Sequence, residues 1–168
     1  MKGGREIRRA TEAELQEVLQ LERDCPTAPH WGLAEYERML WVSDPEGVRR
    51  ALFVAIDGHV ISGFAVGRVL SADAEIESVV VRESARRQGL GSALCRAVMA
   101  WAREEGADTV GLEVRSGSAG ARRLYGGLGF VAAGRRPAYY SEPVEDGILM
   151  RCELRGAPDE GPGLFDPA

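Results

Sequence analysis

Residues Arg86-Arg87-Gln88-Gly89-Leu90-Gly91-Ser92-Ala93-Leu94 constrain the fold more tightly than any other part of the chain. They follow an apolar run, Val79-Val80-Val81, and they open a helical pattern at Leu90, Leu94, Ala97, Val98 and Trp101. A strand that passes through arginines and two glycines into a helix makes a pocket for phosphate. Gly89 and Gly91 let the backbone approach an anion closely and adopt angles that other residues resist. The first-turn N–H groups of the helix lack intrahelical partners, and the helix dipole favours negative charge there. Arg86 and Arg87 add charge at the mouth, so the expected ligand is a diphosphate.

Two other phosphate-binding patterns fit less well. A P-loop requires a lysine after its glycines, and the chain has no lysine beyond Lys2. A dinucleotide fold requires Gly-x-Gly-x-x-Gly, whereas Gly89-Leu90-Gly91 is followed by Ala93 and Leu94. The spacing Arg-x-x-Gly-x-Gly, seen as Arg86, Gly89 and Gly91, instead resembles motif A of the GNAT superfamily of N-acetyltransferases. In that family the motif holds the pyrophosphate of acetyl-coenzyme A.

The 168 residues are enough for one domain with a full core. That domain is expected over residues 1–155, followed by a flexible tail, 156–168, which holds three prolines and three glycines. No apolar run reaches the roughly 18 residues of a membrane helix. The polar start Met1-Lys2-Gly3-Gly4-Arg5 does not read as a signal peptide. Cys25, Cys95 and Cys152 are odd in number and widely spaced, with no metal-ligand pattern, which points to a reducing cytoplasm. A net charge of -5 argues against direct nucleic-acid binding and suits a cationic acceptor such as an amine.

Periodicity and turn signals give the order of elements. A strand at Glu6–Ala10 precedes a capping box, Thr11 with Glu14, and a helix through Leu15, Val18, Leu19 and Glu22. A proline-containing loop at residues 25–32 leads to a second helix, Leu33–Val42. Asp57-Gly58 marks a hairpin between Ala51–Ile56 and Val60–Val69. Then come a strand at Ala74–Val81, the glycine loop with its helix Leu90–Glu104, and a short strand at Asp108–Val114. A helix at Ala119–Leu128, a strand starting at Phe130 and a last strand at Ile148–Leu154 complete the chain. The expected fold is α/β (α+β) in the order βααβββαβαββ, a mixed, mostly antiparallel sheet with helices on both faces.

That order is the GNAT order. The later segments Leu112-Glu113-Val114-Arg115 and Leu124-Tyr125, followed by Leu128-Gly129-Phe130, strengthen the resemblance. Residues 111–140, with Arg135-Arg136-Pro137-Ala138-Tyr139-Tyr140, are similar to the RimI type, the ribosomal-protein alanine N-acetyltransferases. His30-Trp31 resembles that group's Pro-Trp loop. Three positions depart from the pattern: Ser118 stands in place of an asparagine, Glu83 of a proline and Ala85 of an aromatic.

The resemblance implies acetyl transfer from acetyl-coenzyme A to a protein N-terminal α-amine, with alanine on a small-subunit ribosomal protein as the leading acceptor. It implies direct attack of the amine and no metal. Glu113 would be the base, with Glu77 as its rival, and Tyr125 would assist the leaving thiolate. Backbone groups of Val79, Val80 and Val81, the loop Arg86, Arg87, Gln88, Gly89, Leu90, Gly91 and Ser92, and Ser118 would hold the cofactor. Trp31, Glu77, Tyr139 and Tyr140 would flank the acceptor, with the two tyrosines placed in a loop. Glu75 and Glu77 should share a face unless a bulge near Ser78 alters the alternation. A small-molecule amine as acceptor, or a non-catalytic acyl-coenzyme A-binding module, are the alternatives.

Overall fold

The computed structural model of the protein describes residues 4–41 and 44–155. Strand β1 (Arg5–Arg9) leads into the expected capping box, where the Glu14 carboxylate accepts the Thr11 N–H at 2.8 Å. The box opens a single 3-10 turn that continues as α1 (Leu15–Arg23). Spacing of three and four residues puts Leu15, Val18, Leu19 and Glu22 on the buried face of α1. Helix α2 (Leu33–Met39) buries Tyr36 and Met39; its expected end at Val42 lies outside the described residues.

Strands β2 (Arg49–Asp57) and β3 (Val60–Leu70) form the expected hairpin, with Gly58 at φ +67° in its two-residue turn. Left-handed geometry at that turn is why glycine follows Asp57. Strand β4 (Asp73–Val81) pairs antiparallel with β3, and α3 (Leu90–Glu104), β5 (Thr109–Arg115) and α4 (Ala119–Gly127) follow. Strands β6 (Val131–Ser141) and β7 (Val144–Glu153) close the chain as an antiparallel pair. The element order is the expected one, and the sheet runs β1-β2-β3-β4-β5-β7-β6.

Two irregularities in this sheet make room for a site. Parallel strands β4 and β5 pair only at Asp73–Thr109, Ala74–Val110 and Glu75–Gly111. Beyond Glu75 the two strands part, so the edge of β4 that faces β5 has no ladder partner from Ile76 to Val81. The second irregularity is a bulge. Gly67 pairs with Ile76 and Val66 with Ser78, leaving Glu77 unmatched. An extra residue reverses the in-out alternation, and the packing shows it. Ile76 belongs to the α3-side core, whereas Val80, four residues on, belongs to the α1–α2 side.

Helices cover both faces, each over its own core. One core joins α3 to Phe53, Ala65, Ile76, Leu112 and Phe130; the other joins α1 and α2 to Leu52, Val54, Phe64 and Val80. A Cβ on Gly67 would lie 2.5 Å from the Val98 side chain and 2.9 Å from Trp101, so only glycine lets α3 lie this close to β3. Cys95 is buried in that core, which pushes its thiol pKa up to about 12, as suits a small buried hydrophobe. The main correction concerns β6. Tyr139 and Tyr140 lie on this edge strand rather than in a loop, and Arg135 and Arg136 stand on it as well. Local sequence hid it because Pro137 breaks the strand pattern and the register slips between Arg136 and Tyr140.

Candidate active site

The glycine loop builds a cavity of about 630 Å³ against β4 and α4. Arg86 is extended, Arg87 is left-handed at φ +60° and Gly89 is left-handed at φ +79°. Left-handed geometry at Gly89 turns the chain into α3, whose first helical bond runs from the Ala93 N–H to the Gly89 carbonyl at 3.1 Å. The N–H groups of Leu90, Gly91 and Ser92 are therefore left without helical acceptors at the positive end of a 15-residue helix. A Cβ on Gly89 would meet nothing within 4 Å, whereas one on Gly91 would sit 3.0 Å from Leu124. Gly89 thus serves the turn, and Gly91 lets α4 approach α3. Arg86, Arg87 and Arg123 also line the cavity.

A second cavity, of about 490 Å³, opens where β4 and β5 part and adjoins the first. Its polar wall carries Glu75, Glu77, Glu113, Ser118, Tyr139 and Tyr140. Glu113 projects from β5 with only 16% of its side chain exposed; Arg136 lies 3.3 Å from its Oε1, and Oε2 is buried without a hydrogen-bond partner among the described residues. Glu77, at the bulge, is held by Arg50 in a fork of 2.9 and 3.1 Å. Burial first, and the Glu77 charge next, push the Glu75 carboxyl above its ordinary range. Tyr139 is raised chiefly by the Glu113 charge, and Tyr140, with Arg115 stacked 4.2 Å from its ring centroid, chiefly by burial.

The two cavities share Val79, Val80 and Tyr125. Tyr125 stands on α4 with its ring edge-on to Phe130 at 5.9 Å. Burial keeps its phenol well above the ordinary tyrosine pKa, so the hydroxyl keeps its proton. A phosphate-binding loop, a strand edge without a partner, a protonated phenol and a carboxylate-lined chamber thus adjoin. Such an arrangement can hold an acyl donor by its phosphates and bring a nucleophile to it from the adjoining chamber.

Known proteins are similar to this chain in sequence and fold. The family model described as "Acetyltransferase (GNAT) family" matches residues 15–130. The chain belongs to the GNAT acetyltransferases. The ribosomal protein bS18-alanine N-acetyltransferase of Escherichia coli K12 is 34% identical over 111 residues, 65% of this chain and 75% of that protein. Its counterpart in Haemophilus influenzae is 29% identical over 112 residues, 65% of this chain and 76% of the relative. The crystal structure of the ribosomal-protein-S18-alanine N-acetyltransferase from Escherichia coli superposes with a TM-score of 0.77 at 25% identity, covering 94% of this chain and 99% of the other.

As a GNAT acetyltransferase the protein is an enzyme, and acetyl-coenzyme A is its co-substrate. Its own residues fit that molecule. Three free helix N–H groups, the open approach over Gly89 and the Arg86, Arg87 and Arg123 guanidiniums suit a diphosphate, and the unpaired edge of β4 offers hydrogen bonds to an extended amide chain. Among the residues singled out by sequence, Val79, Val80, Val81, Arg86, Arg87, Gly89, Leu90, Gly91 and Ser92 line the loop cavity. Gln88 turns away to hydrogen-bond Arg5. Ser118 occupies the N-cap position of α4, where its carbonyl accepts the Arg122 N–H at 3.0 Å, and lines the carboxylate cavity; Trp31 lines neither cavity, packing edge-on to Tyr36 at 5.9 Å.

Sequence reading of this GNAT site missed two groups. Cys25 and Thr27, from the α1–α2 loop, line both cavities, and Arg123 lines the loop cavity from α4. A signal for Arg123 existed: it directly precedes Leu124, the α4 residue that packs on Gly91. The loop residues gave none, since only the closed fold carries Cys25 to β4. Among the described residues no helix is long and apolar enough to cross a membrane.

Proposed function

We propose that the protein transfers the acetyl group of acetyl-coenzyme A to the N-terminal α-amine of a protein, with alanine of a small-subunit ribosomal protein as acceptor. The observation that carries this reading is the shared wall of the two cavities at Val79, Val80 and Tyr125. It gives donor and acceptor adjoining chambers and one meeting point. The activity named for the Escherichia coli and Haemophilus influenzae relatives supports the acceptor class.

Acetyl-coenzyme A supplies an activated acyl thioester when bound. The chain supplies everything else. An α-amine has a pKa near 8, so roughly a tenth is already neutral at pH 7 and a modest base suffices. Glu113 takes the amine's proton, directly or through one water, because its Oε2 is free while Glu77 is occupied by Arg50. Backbone groups along the free edge of β4 orient the acyl carbonyl. Tyr125 holds a proton at its hydroxyl for the sulfur side of the reaction. Glu75, Tyr139 and Tyr140 shape a polar entrance for a cationic N-terminus. In this reading the enzyme meets its acceptor protein in the cytoplasm, with no direct role for nucleic acid or membrane.

The test is thiol release from acetyl-coenzyme A with short peptides beginning in alanine, each compared with its N-terminally blocked twin. Turnover that disappears on blocking is expected. Equal turnover with both twins, or turnover only with free small amines, would overturn the assignment.

A further inference from the structure

Glu22 is the most buried carboxylate outside the two cavities, at 1% exposure among Val18, Leu19 and Tyr36. Burying a charge is costly unless it is matched by hydrogen bonds. Here the matches are specific: its Oε1 accepts the backbone N–H of Trp31 at 2.8 Å and the hydroxyl of Tyr36 at 2.7 Å. Tyr36 is itself fully buried, and its ring edge meets Trp31 at 5.9 Å and Phe64 at 6.0 Å. Burial, and then the hydrogen bond to Glu22, keep that phenol protonated and donating.

Between Glu22 and Trp31 runs the loop whose Cys25, Thr27, Ala28 and Pro29 wall the carboxylate cavity; Cys25 and Thr27 also wall the loop cavity. Among the described residues its other hydrogen bonds are short-range, including the Cys25 N–H to the Glu22 carbonyl at 3.1 Å, the Ala28 N–H to the Cys25 carbonyl at 3.1 Å, and Cys25 Sγ with Thr27 Oγ1 at 3.5 Å. His30, one residue before the clamped amide, sits at φ +58°, a left-handed conformation that its surroundings must hold in place. An apolar residue would fill the Glu22 position without this cost, so the carboxylate is there for what it fastens.

We propose that Glu22 is a positioning residue for acetyl transfer, clamping the α1–α2 loop so that it forms the common mouth of the acceptor and donor cavities. The clamp acts through Trp31, which explains why Trp31 touches neither cavity and still matters to both. Its kinetic consequence rests on the function proposed above; its structural consequence does not.

The test pairs Glu22→Leu with Tyr36→Phe in one protein, removing the acceptor and the buried donor together while keeping apolar volume. Alkylation by iodoacetamide, read by mass spectrometry at Cys25 and at Cys152, reports loop position without any substrate. We expect Cys25 to react about fivefold faster and Cys152 at its wild-type rate, as local opening of the loop requires. With an alanine peptide, acceptor KM should rise about fivefold while kcat stays within about twofold. Glu22→Gln restores an acceptor oxygen without the charge and should label Cys25 about twofold faster than wild type, since charge-assisted bonds are the stronger ones. A folded double variant with unchanged Cys25 labelling overturns the clamp. If the double variant does not fold, wild-type labelling in Glu22→Gln overturns it. Loss of peptide turnover in the wild type would sink the proposed function and leave the labelling result decisive for the clamp.

Discussion

Tyr125 owes its place to three neighbours of different kinds. Phe130 holds one edge of its ring, α4 carries it over the parted strands, and the two cavities meet at its side chain. Because burial raises its pKa, the hydroxyl keeps its proton at every pH below the ordinary tyrosine value of about 10. Wild-type turnover should therefore show no falling alkaline limb from this group below about pH 10. Tyr125→Phe removes the donor and leaves the ring packing intact. We expect kcat to fall about 100-fold, by the same factor from pH 6 to pH 9, a size typical of a lost acid–base group. Acetyl-coenzyme A affinity should stay within about twofold, measured by calorimetry, since a donor used in the transition state adds little to ground-state binding. A pH-dependent loss would mean that another group can take over the proton. The two glutamates differ by their partners. Glu77 is committed to a two-point pair with Arg50, whereas Glu113 shares one oxygen with Arg136 and keeps the other free.

Elements were legible in proportion to how local their causes are. The Thr11–Glu14 box is read from four residues, and it carries a stability prediction. Glu14 accepts the Thr11 N–H and is held by Arg8 at 2.6 and 3.1 Å, and these bonds, led by Arg8, lower its pKa. A carboxylate with a lowered folded pKa stabilises fully above its unfolded value and loses that contribution as pH falls through the folded one. Glu14→Gln keeps an oxygen for the Thr11 N–H but removes the charge facing Arg8, and should cost about 1 kcal/mol at neutral pH. In a domain of this size that is about 2–4 °C in Tm. The gap between the two proteins should hold from pH 8 down to about pH 5 and close below about pH 4. A gap that widens on acidification would contradict the assignment. The glycine loop and the Asp57-Gly58 hairpin were equally legible, because each needs left-handed geometry at a fixed place. Strand β6 was not. Its residues are almost all exposed on a sheet edge, so no alternation marks them, and its pairing with β7 is set by register rather than by composition. The bulge at Glu77 was foreseen as a possibility near Ser78, yet its position follows from how β3 lies under α3. The Glu22 clamp was illegible for a similar reason, since it spans nine residues and a phenol on the next helix.

At the scale of the whole molecule, the sheet is two antiparallel units, β1-β2-β3-β4 and β5-β7-β6, joined by three residue pairs. A seam this short would suggest two independently unfolding halves, but the α3-side core runs across it. Trp101 and Leu94 of α3 share one cluster with Phe53 and Ala65 from the first unit and with Leu112, Ile148 and Met150 from the second. Heat should therefore unfold the described domain in a single transition. The donor cavity lies at the opening of the seam, where its walls come from β4, the glycine loop and α4. A ligand held there binds only the folded arrangement, and mass action then stabilises it by about 2.7 kcal/mol at 100 times its Kd. For a chain of 168 residues this is a rise of about 5–10 °C in Tm on adding acetyl-coenzyme A. Gly89→Ala puts a side chain at φ +79°, which costs about 1–2 kcal/mol whether or not ligand is present. Its second effect is specific to the ligand: the turn that aims the Leu90, Gly91 and Ser92 N–H groups is strained, so the acetyl-coenzyme A shift should shrink by half or more at the same ligand concentration. Differential scanning fluorimetry of both proteins, with and without the co-substrate, separates the two effects. An undiminished shift in the variant would mean that the arginines, rather than the helix terminus, hold the phosphates.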